Sequence, residues 1–292
     1  MKNLTYYFEK AKKEKFAIPQ FNFSDYNQLQ SIVSVAEQLK SPVILGTSEG
    51  ESKFFGMDEA VALRNVLRKK TGASIFLNLD HGKSYEYVKR AIQIGYDMVH
   101  FDGSKLPFEE NMKIVKEVVK AACASWRTGF KNVVVEGEIG VIGTDASKIY
   151  QESFVIKEEQ LTTVIEALEF AKKSGVDVLA ISVGTFHGMD MNQVSPHIRI
   201  DRLEEIHKKV NIPLVLHGGS GTPEEDIKKA IQLGICKINI NTEIRLAFTS
   251  ALRKALEDES EITPYKYVPA AKVALEKVVE EKIRLFGSFD KI

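Results

Sequence analysis

The stretch that decides the fold is PLVLHGGSG at 213–221. A short apolar run meets a histidine, and the histidine meets glycine. The same arrangement occurs twice upstream, in IFLNLDHG at 75–82 and LAISVGTFHG at 179–188. Each apolar run has the length of a buried strand, and His81, His187 and His217 each stand at the carboxyl end of one. Near-continuous apolar runs mark strands covered on both faces, as in a parallel sheet clothed in helices.

Working outward, eight such runs are present: 16–22, 42–47, 74–79, 97–102, 132–138, 176–183, 213–217 and 235–240. Charged stretches with apolar residues three and four apart alternate with them, at 24–40, 57–71, 84–94, 108–124, 158–174, 200–209, 223–233 and 243–257. That spacing predicts amphipathic helices. Asp25 is placed to cap the first of these, and Thr222-Pro223-Glu224-Glu225 reads as a helix start. Eight strand–helix units predict an α/β fold, a (β/α)8 TIM barrel, over a doubly wound open sheet. Two more helices are expected outside the barrel, an N-terminal one at roughly 3–14 and a C-terminal one at roughly 264–286. No Pro/Gly/Ser-rich linker divides residues 1–292, so a single domain is expected.

Bulk properties narrow the function. Lys+Arg and Asp+Glu number 40 each, and this zero net charge gives no sign of a nucleic-acid partner or a membrane surface. The charged start MKNLTYYFEKAKKEK lacks an apolar signal core, and no run reaches the roughly 18 residues of a membrane span. Cys123 and Cys236 lack CxxC spacing and read as reduced thiols of a cytoplasmic protein.

Polar residues collect at the carboxyl ends of the strands: Asn22, Ser48, Asp80 and His81, Asp102, Glu136 and Glu138, His187, His217, then Asn239, Asn241 and Thr242. That end of a barrel carries the chemistry. Three neutral imidazoles converging there would make a tridentate zinc site with an open position. Neighbours on a strand point to opposite faces, but a turning strand end could let Asp80 and His81 share one cavity; capping the next helix is the competing role for Asp80. The HGGSG stretch (Gly218, Gly219, Ser220) and the NINTE stretch (Asn239, Ile240, Asn241, Thr242) follow strands seven and eight, where amide donors and helix N-termini recurrently hold phosphate. His100, inside strand four, and His207, on a helix, read as structural or surface residues. His197 falls in a loop with no partner evident from spacing.

The chain resembles the class II, zinc-dependent ketose-bisphosphate aldolases, the fructose-1,6-bisphosphate and tagatose-bisphosphate enzymes. NLDHG at 78–82, FDGSKLPFEEN at 101–111, VEGEIG at 135–140, GTFHG at 184–188, HGGSG at 217–221 and KININTE at 237–243 carry the likeness, which spans nearly the whole chain. It implies His81, His187 and His217 as ligands of one catalytic Zn2+, with Asp102 and Glu138 at a second or alternative metal position for a divalent or monovalent cation. It implies Asp80 as the acid/base at the aldehyde-derived hydroxyl, Ser48 at the aldehyde-derived half, and Gly188, Gly218, Ser220, Asn239 and Thr242 around the dihydroxyacetone phosphate half, with Asn239 near the reacting carbon. It further implies a phosphorylated ketose substrate and a homodimer or homotetramer.

The sequence departs from that family in two loops. Where relatives carry Gly-Gly-x-Glu-Asp, this chain reads Ile142-Gly143-Thr144-Asp145-Ala146, which aligns Ala146 with the glutamate and leaves Asp145 and Glu152 as substitutes. After His187-Gly188, where a lysine is usual, it reads Met189-Asp190-Met191-Asn192, so Arg199 becomes a candidate for the phosphate.

Overall fold

Helix α1 (Leu4–Glu14) opens the chain, followed by β1 (Ile18–Asn22), α2 (Tyr26–Gln38), β2 (Val43–Ser48), α3 (Glu49–Phe55), α4 (Met57–Thr71), β3 (Ile75–Gly82), α5 (Tyr85–Ile94), β4 (Met98–Phe101), α6 (Phe108–Trp126) and β5 (Val134–Ile139). The second half contains β6 (Ile149–Tyr150), a short 3-10 turn at Glu158–Gln160, α7 (Val164–Ser174), β7 (Val178–Ile181), β8 (Met189–Asp190), α8 (Ile200–His207), β9 (Leu214–Leu216), α9 (Glu224–Gln232), β10 (Ile235–Ile240), α10 (Thr242–Ala255) and α11 (Pro264–Leu285). The computed structural model describes residues 2–126, 133–142, 149–150, 156–186, 188–190 and 197–292, with backbone alone at 126, 149–150 and 189–190.

Eight parallel strands close on themselves in the order β1-β10-β9-β7-β5-β4-β3-β2. The eight apolar runs are these barrel strands, and closure excludes the open sheet. α1 and α11 are the two helices expected outside the repeat. Two features were not anticipated. The two-residue strands β6 and β8 pair in parallel within stretches that read as irregular loops. Helix α3 starts directly at the end of β2, where Ser48 and Glu51 form a capping box: the Ser48 hydroxyl accepts from the Glu51 amide, and the Glu51 carboxylate accepts from the Ser48 amide. The S-x-x-E signature was present at 48–51.

The expected caps divide. Asp25 accepts from the amides of Asn27 and Gln28 at the start of α2, as anticipated. Thr222 does not cap α9; its hydroxyl donates to the Gly218 carbonyl, and the helix begins at Glu224. Asp80 is not a cap either, because Ser84 caps α5. That frees the Asp80 carboxylate for the barrel interior.

The core has two parts. Val, Leu and Ile on the outer strand faces pack against the surrounding helices. Inside the barrel, Ile18, Ile44, Phe76, Met98, Val134, Val178 and Val215 form an apolar floor, which Leu4, Tyr7, Phe8 and Ala11 of α1, with Phe16, seal from below. Apolar burial therefore anchors the amino ends of the strands and leaves their carboxyl ends for polar groups. Phe8 is 2% exposed. Phe8→Ala is expected to lower the unfolding free energy by about 3 kcal/mol, from lost apolar burial and the cavity left behind. Urea denaturation followed by circular dichroism measures this.

Candidate active site

Side-chain alternation carries the floor upward into a polar interior. Phe76, Met98 and Val134 belong to the floor. Residues two and four positions further along share their face. On β3 these are Asn78 and Asp80; on β4, His100 and the following Asp102; on β5, Glu136 and Glu138. By the same rule His81 should point outward. It does not, because its φ is +52° and the β3–β4 register shifts between Leu79 and Gly82. A left-handed φ costs a non-glycine residue about 1–2 kcal/mol. Such strain persists where the surroundings enforce it, commonly at working sites. The backbone turn thus puts Asp80 and His81 into one cavity, as the turning strand end suggested.

The imidazoles of His81 and His217 are each held from behind by a carboxylate. His81 Nδ1 lies 3.0 Å from Asp102 Oδ2, and His217 Nε2 lies 2.6 Å from Glu136 Oε1. An ionised carboxylate only accepts, so each of these nitrogens carries the ring proton and donates. The opposite nitrogens, His81 Nε2 and His217 Nδ1, face each other at 3.1 Å. Two imidazole nitrogens converging beside a cluster of carboxylates are donors of the type a transition-metal cation takes. Asn239 Nδ2, 3.2 Å from His217 Nδ1, supplies a donor on one side.

Charge around this pair favours a cation. Asp80, Asp102, Glu136 and Glu138 gather near one ammonium, Lys237, whose Nζ donates to Glu136 Oε2 at 2.7 Å in the dry interior. Burial works to raise Glu136, but Lys237, His100 and His217 outweigh it and hold the carboxyl far below the usual range. Burial also opposes ionisation of Asp102, yet the His81 bond and charge keep it ionised. Burial lowers His217, against the pull of Glu136, so the ring is neutral near pH 7 and able to ligate. Two ligand-competent groupings result, Asp80 with His81, His100 and His217, and His81 with Asp102 and Glu138. Imidazole and carboxylate donors of this kind suit Zn2+. Glu138 Oε2 and His100 Nε2 lie 3.1 Å apart in the dry interior.

Asp80 is braced by two amides. Asn22 Nδ2 donates to Oδ2 at 2.9 Å, and Asn239 Nδ2 donates to Oδ1 at 3.1 Å. Burial would raise its pKa, but His81, His100, His217 and Lys237 prevail and hold it well below the usual carboxylate range. Asp80 is therefore fixed in place and ionised. Asn22 also donates to Glu51 Oε2, and Glu51 Oε1 accepts from Arg245 Nη2.

Above these groups opens a cavity of about 860 Å³. Ser48, Asp80, His81, Asp102, Glu138, Gly188, His217, Gly218, Ser220, Asn239, Asn241 and Thr242 line it, so the structure brings most of the expected site residues together. Gly218 (φ +66°) passes so close to Phe186 that a Cβ would lie 2.4 Å from the Phe186 carbonyl oxygen, which explains why glycine stands there. The Ser220 hydroxyl accepts from the Glu243 amide at 3.4 Å, at the start of α10.

Several expectations need correction. Gly219 and Ile240 do not line the cavity: Gly219 is pressed against Ile238, and the Ile240 side chain packs into the outer core. Arg199 is engaged by Asp201 and Glu158 away from the cavity. His197 has a partner after all, Asp226 Oδ2 at 2.8 Å from Nδ1. His100 is not a bystander; its ring centroid lies 4.6 Å from that of His81 and 4.9 Å from that of His217. Its parity with Asp102 was the available signal. His187, Asp145, Ala146, Glu152, Met191 and Asn192 lie outside the described residues, as do the side chains of Met189 and Asp190. Also missed were Glu51 and the cationic cavity residues Lys83, Lys105 and Arg245.

Comparison with known proteins bears on this site directly. The family model "Fructose-bisphosphate aldolase class-II" matches residues 2–291. The chain belongs to the class II fructose-bisphosphate aldolase family. This aldolase is 39% identical to the sulfofructosephosphate aldolase of Alkalicoccus urumqiensis over 97% of its own length and 95% of the relative's. It is 36% identical to the probable fructose-bisphosphate aldolase of Bacillus subtilis (strain 168), covering 98% and 97% of the two chains. Among solved structures, the YdjI aldolase of Escherichia coli K12 superposes with a TM-score of 0.80 at 28% identity, covering 100% of this chain and 99% of that one. The fold and the lyase class follow.

The Lys237–Glu136–His217 chain gives this aldolase a measurable signature. Glu136→Gln leaves the Lys237 ammonium buried without a countercharge and is expected to cost about 3 kcal/mol of stability. Adding Lys237→Met should recover much of that loss. Chemical denaturation of the two variants measures both effects.

Proposed function

We propose that this aldolase reversibly cleaves a ketose 1,6-bisphosphate, foremost fructose-1,6-bisphosphate, to dihydroxyacetone phosphate and glyceraldehyde 3-phosphate, using one Zn2+ held by His81, His217 and His187. The observation that carries the metal assignment is the convergence of the His81 and His217 rings to 3.1 Å between nitrogens, each ring fixed by a carboxylate behind it, within a cluster of ligand atoms from Asp80, His81, His100 and His217. Asp102 and Glu138, both near His81 Nδ1, are the groups available to a second divalent or monovalent cation. Zinc bound there supplies Lewis acidity for the ketose carbonyl and its neighbouring hydroxyl.

The protein's own groups do the rest. Asp80, ionised and oriented by Asn22 and Asn239, takes the hydroxyl proton as the carbon–carbon bond opens and returns it in the synthetic direction. Asn239 spans Asp80 and His217 and so sits beside the reacting carbon. Gly188, Gly218, Ser220, Asn241 and Thr242 surround the phosphate of the dihydroxyacetone half, where backbone amides and the α10 N-terminus favour an anion. Ser48 stands on the aldehyde side. Holding both ends of the sugar converts remote binding energy into orientation at the reacting bond. We take the chain to work as one cytoplasmic domain in a homodimer or homotetramer.

A second reading keeps the chemistry and changes the far end of the substrate. The 39% identity to a sulfofructosephosphate aldolase supports a ketose phosphate bearing a sulfonate in place of the second phosphate. Lys83, Lys105 and Arg245 at the cavity suit either anion. Tagatose bisphosphate differs from fructose bisphosphate only in the stereochemistry of one hydroxyl and tests the same pocket.

A coupled assay of triose phosphate release from these ketoses, with and without a zinc chelator, tests the proposal. Chelation should abolish turnover, and zinc should restore it. Turnover that survives removal of all bound metal would refute the metal assignment, and the ratio of kcat/KM between ketoses names the substrate. Asp80→Asn should lower kcat by roughly 100- to 10,000-fold while zinc content is retained; elemental analysis alongside kinetics checks both.

A further inference from the structure

His100 takes part in none of the steps above. It is fully buried in the barrel, on the face that β4 shares with Met98 and Asp102. Its ring touches two parts of the metal centre that come from different strands. Nδ1 accepts the main-chain N–H of His81 at 3.2 Å, and Nε2 lies 3.1 Å from Glu138 Oε2. Asp80 Oδ1 and Glu136 Oε1 also face Nδ1, at 3.8 and 3.9 Å.

We infer that His100 is a positioning residue, which holds the left-handed turn at His81 and the Glu138 carboxylate in place for the cation. The inference rests on the metal-centre reading above. His81 leaves the regular strand path, so its buried amide needs an acceptor from outside the ladder, and the His100 ring provides one. Accepting at Nδ1 puts the ring proton on Nε2, the edge directed at Glu138. With Nδ1 engaged by the His81 amide and Nε2 by the Glu138 carboxylate, the ring has no lone pair left for a cation, so His100 orients ligands without being one. Groups that orient ligands in this manner typically govern metal affinity by 10- to 100-fold.

The test measures Zn2+ affinity of the full-length, ketose-free protein by competition with a chromophoric chelator, together with the visible absorption of the Co2+-loaded form. His100→Met removes both contacts and should weaken Zn2+ binding about 10- to 100-fold, with the intense tetrahedral Co2+ bands retained. His100→Asn restores an acceptor near the Nδ1 position without reaching Glu138, and should fall between wild type and the Met variant. Wild-type Zn2+ affinity in His100→Met overturns the inference, and so does loss of the tetrahedral Co2+ bands, which would make His100 a ligand. Should the Met variant fail to fold, His100→Asn decides: intermediate weakening supports the positioning role, and wild-type affinity overturns it. A wild-type protein that takes up neither Zn2+ nor Co2+ sinks the metal reading itself, whereas normal uptake by wild type with unchanged variants sinks this inference alone.

Discussion

Two imidazole rings, each gripped from behind by a carboxylate, bring nitrogens to 3.1 Å from one another, and the rest of the site is built around that contact. Everything around His81 and His217 serves to keep them that way. Asp102 and Glu136 fix the protons on the far sides of the rings, and Lys237 fixes Glu136 from deeper in the barrel. The arrangement is costly in isolation, since charges are being held where water cannot reach them. It is tolerated because the closed sheet and the surrounding apolar shell are large enough to carry a polar interior.

The interior is stratified. Apolar side chains at the amino ends of the strands supply cohesion, and on β1, β3, β4, β5 and β9 the same face is polar two residues further along the chain, at Gln20, Asn78, His100, Glu136 and His217. This division lets one end of the barrel hold the fold while the other carries the chemistry. The strained φ of His81 belongs to the second end. It brings two consecutive residues, Asp80 and His81, into one cavity.

Much of this was legible in the sequence, for specific reasons. Strands buried on both faces leave unbroken apolar runs, so all eight were visible, and His81 and His217 at two run ends marked the end of the barrel where the cavity opens. The catalytic neighbourhood of Asp80, Asp102, Glu138 and Asn239 followed from their shared position along the strands. His100 was misjudged because position along a strand was read without parity; counting by twos from Asp102 puts it in the interior. Glu51 and Arg245 were missed for another reason. They are 194 residues apart, and only barrel closure brings β2 near β10. Helix α3 was overlooked because it is seven residues long and contains Gly50, although its capping box was written out at 48–51. The turning strand end hinted that Asp80 and His81 share a cavity, but the left-handed φ that achieves it had no signature of its own, since it depends on what surrounds the turn.

The plug formed by α1 carries a kinetic implication. With Tyr7, Phe8 and Phe16 packed beneath the strands, the described residues stop the barrel at the amino ends of the strands, opposite the cavity. Whatever is split at the bottom of such a well leaves past the residues that line its mouth. The fragment nearer the rim has to clear before the deeper one can follow, and a fragment that lingers blocks the next arrival. Release order is thereby written into the architecture, with no moving part required to enforce it.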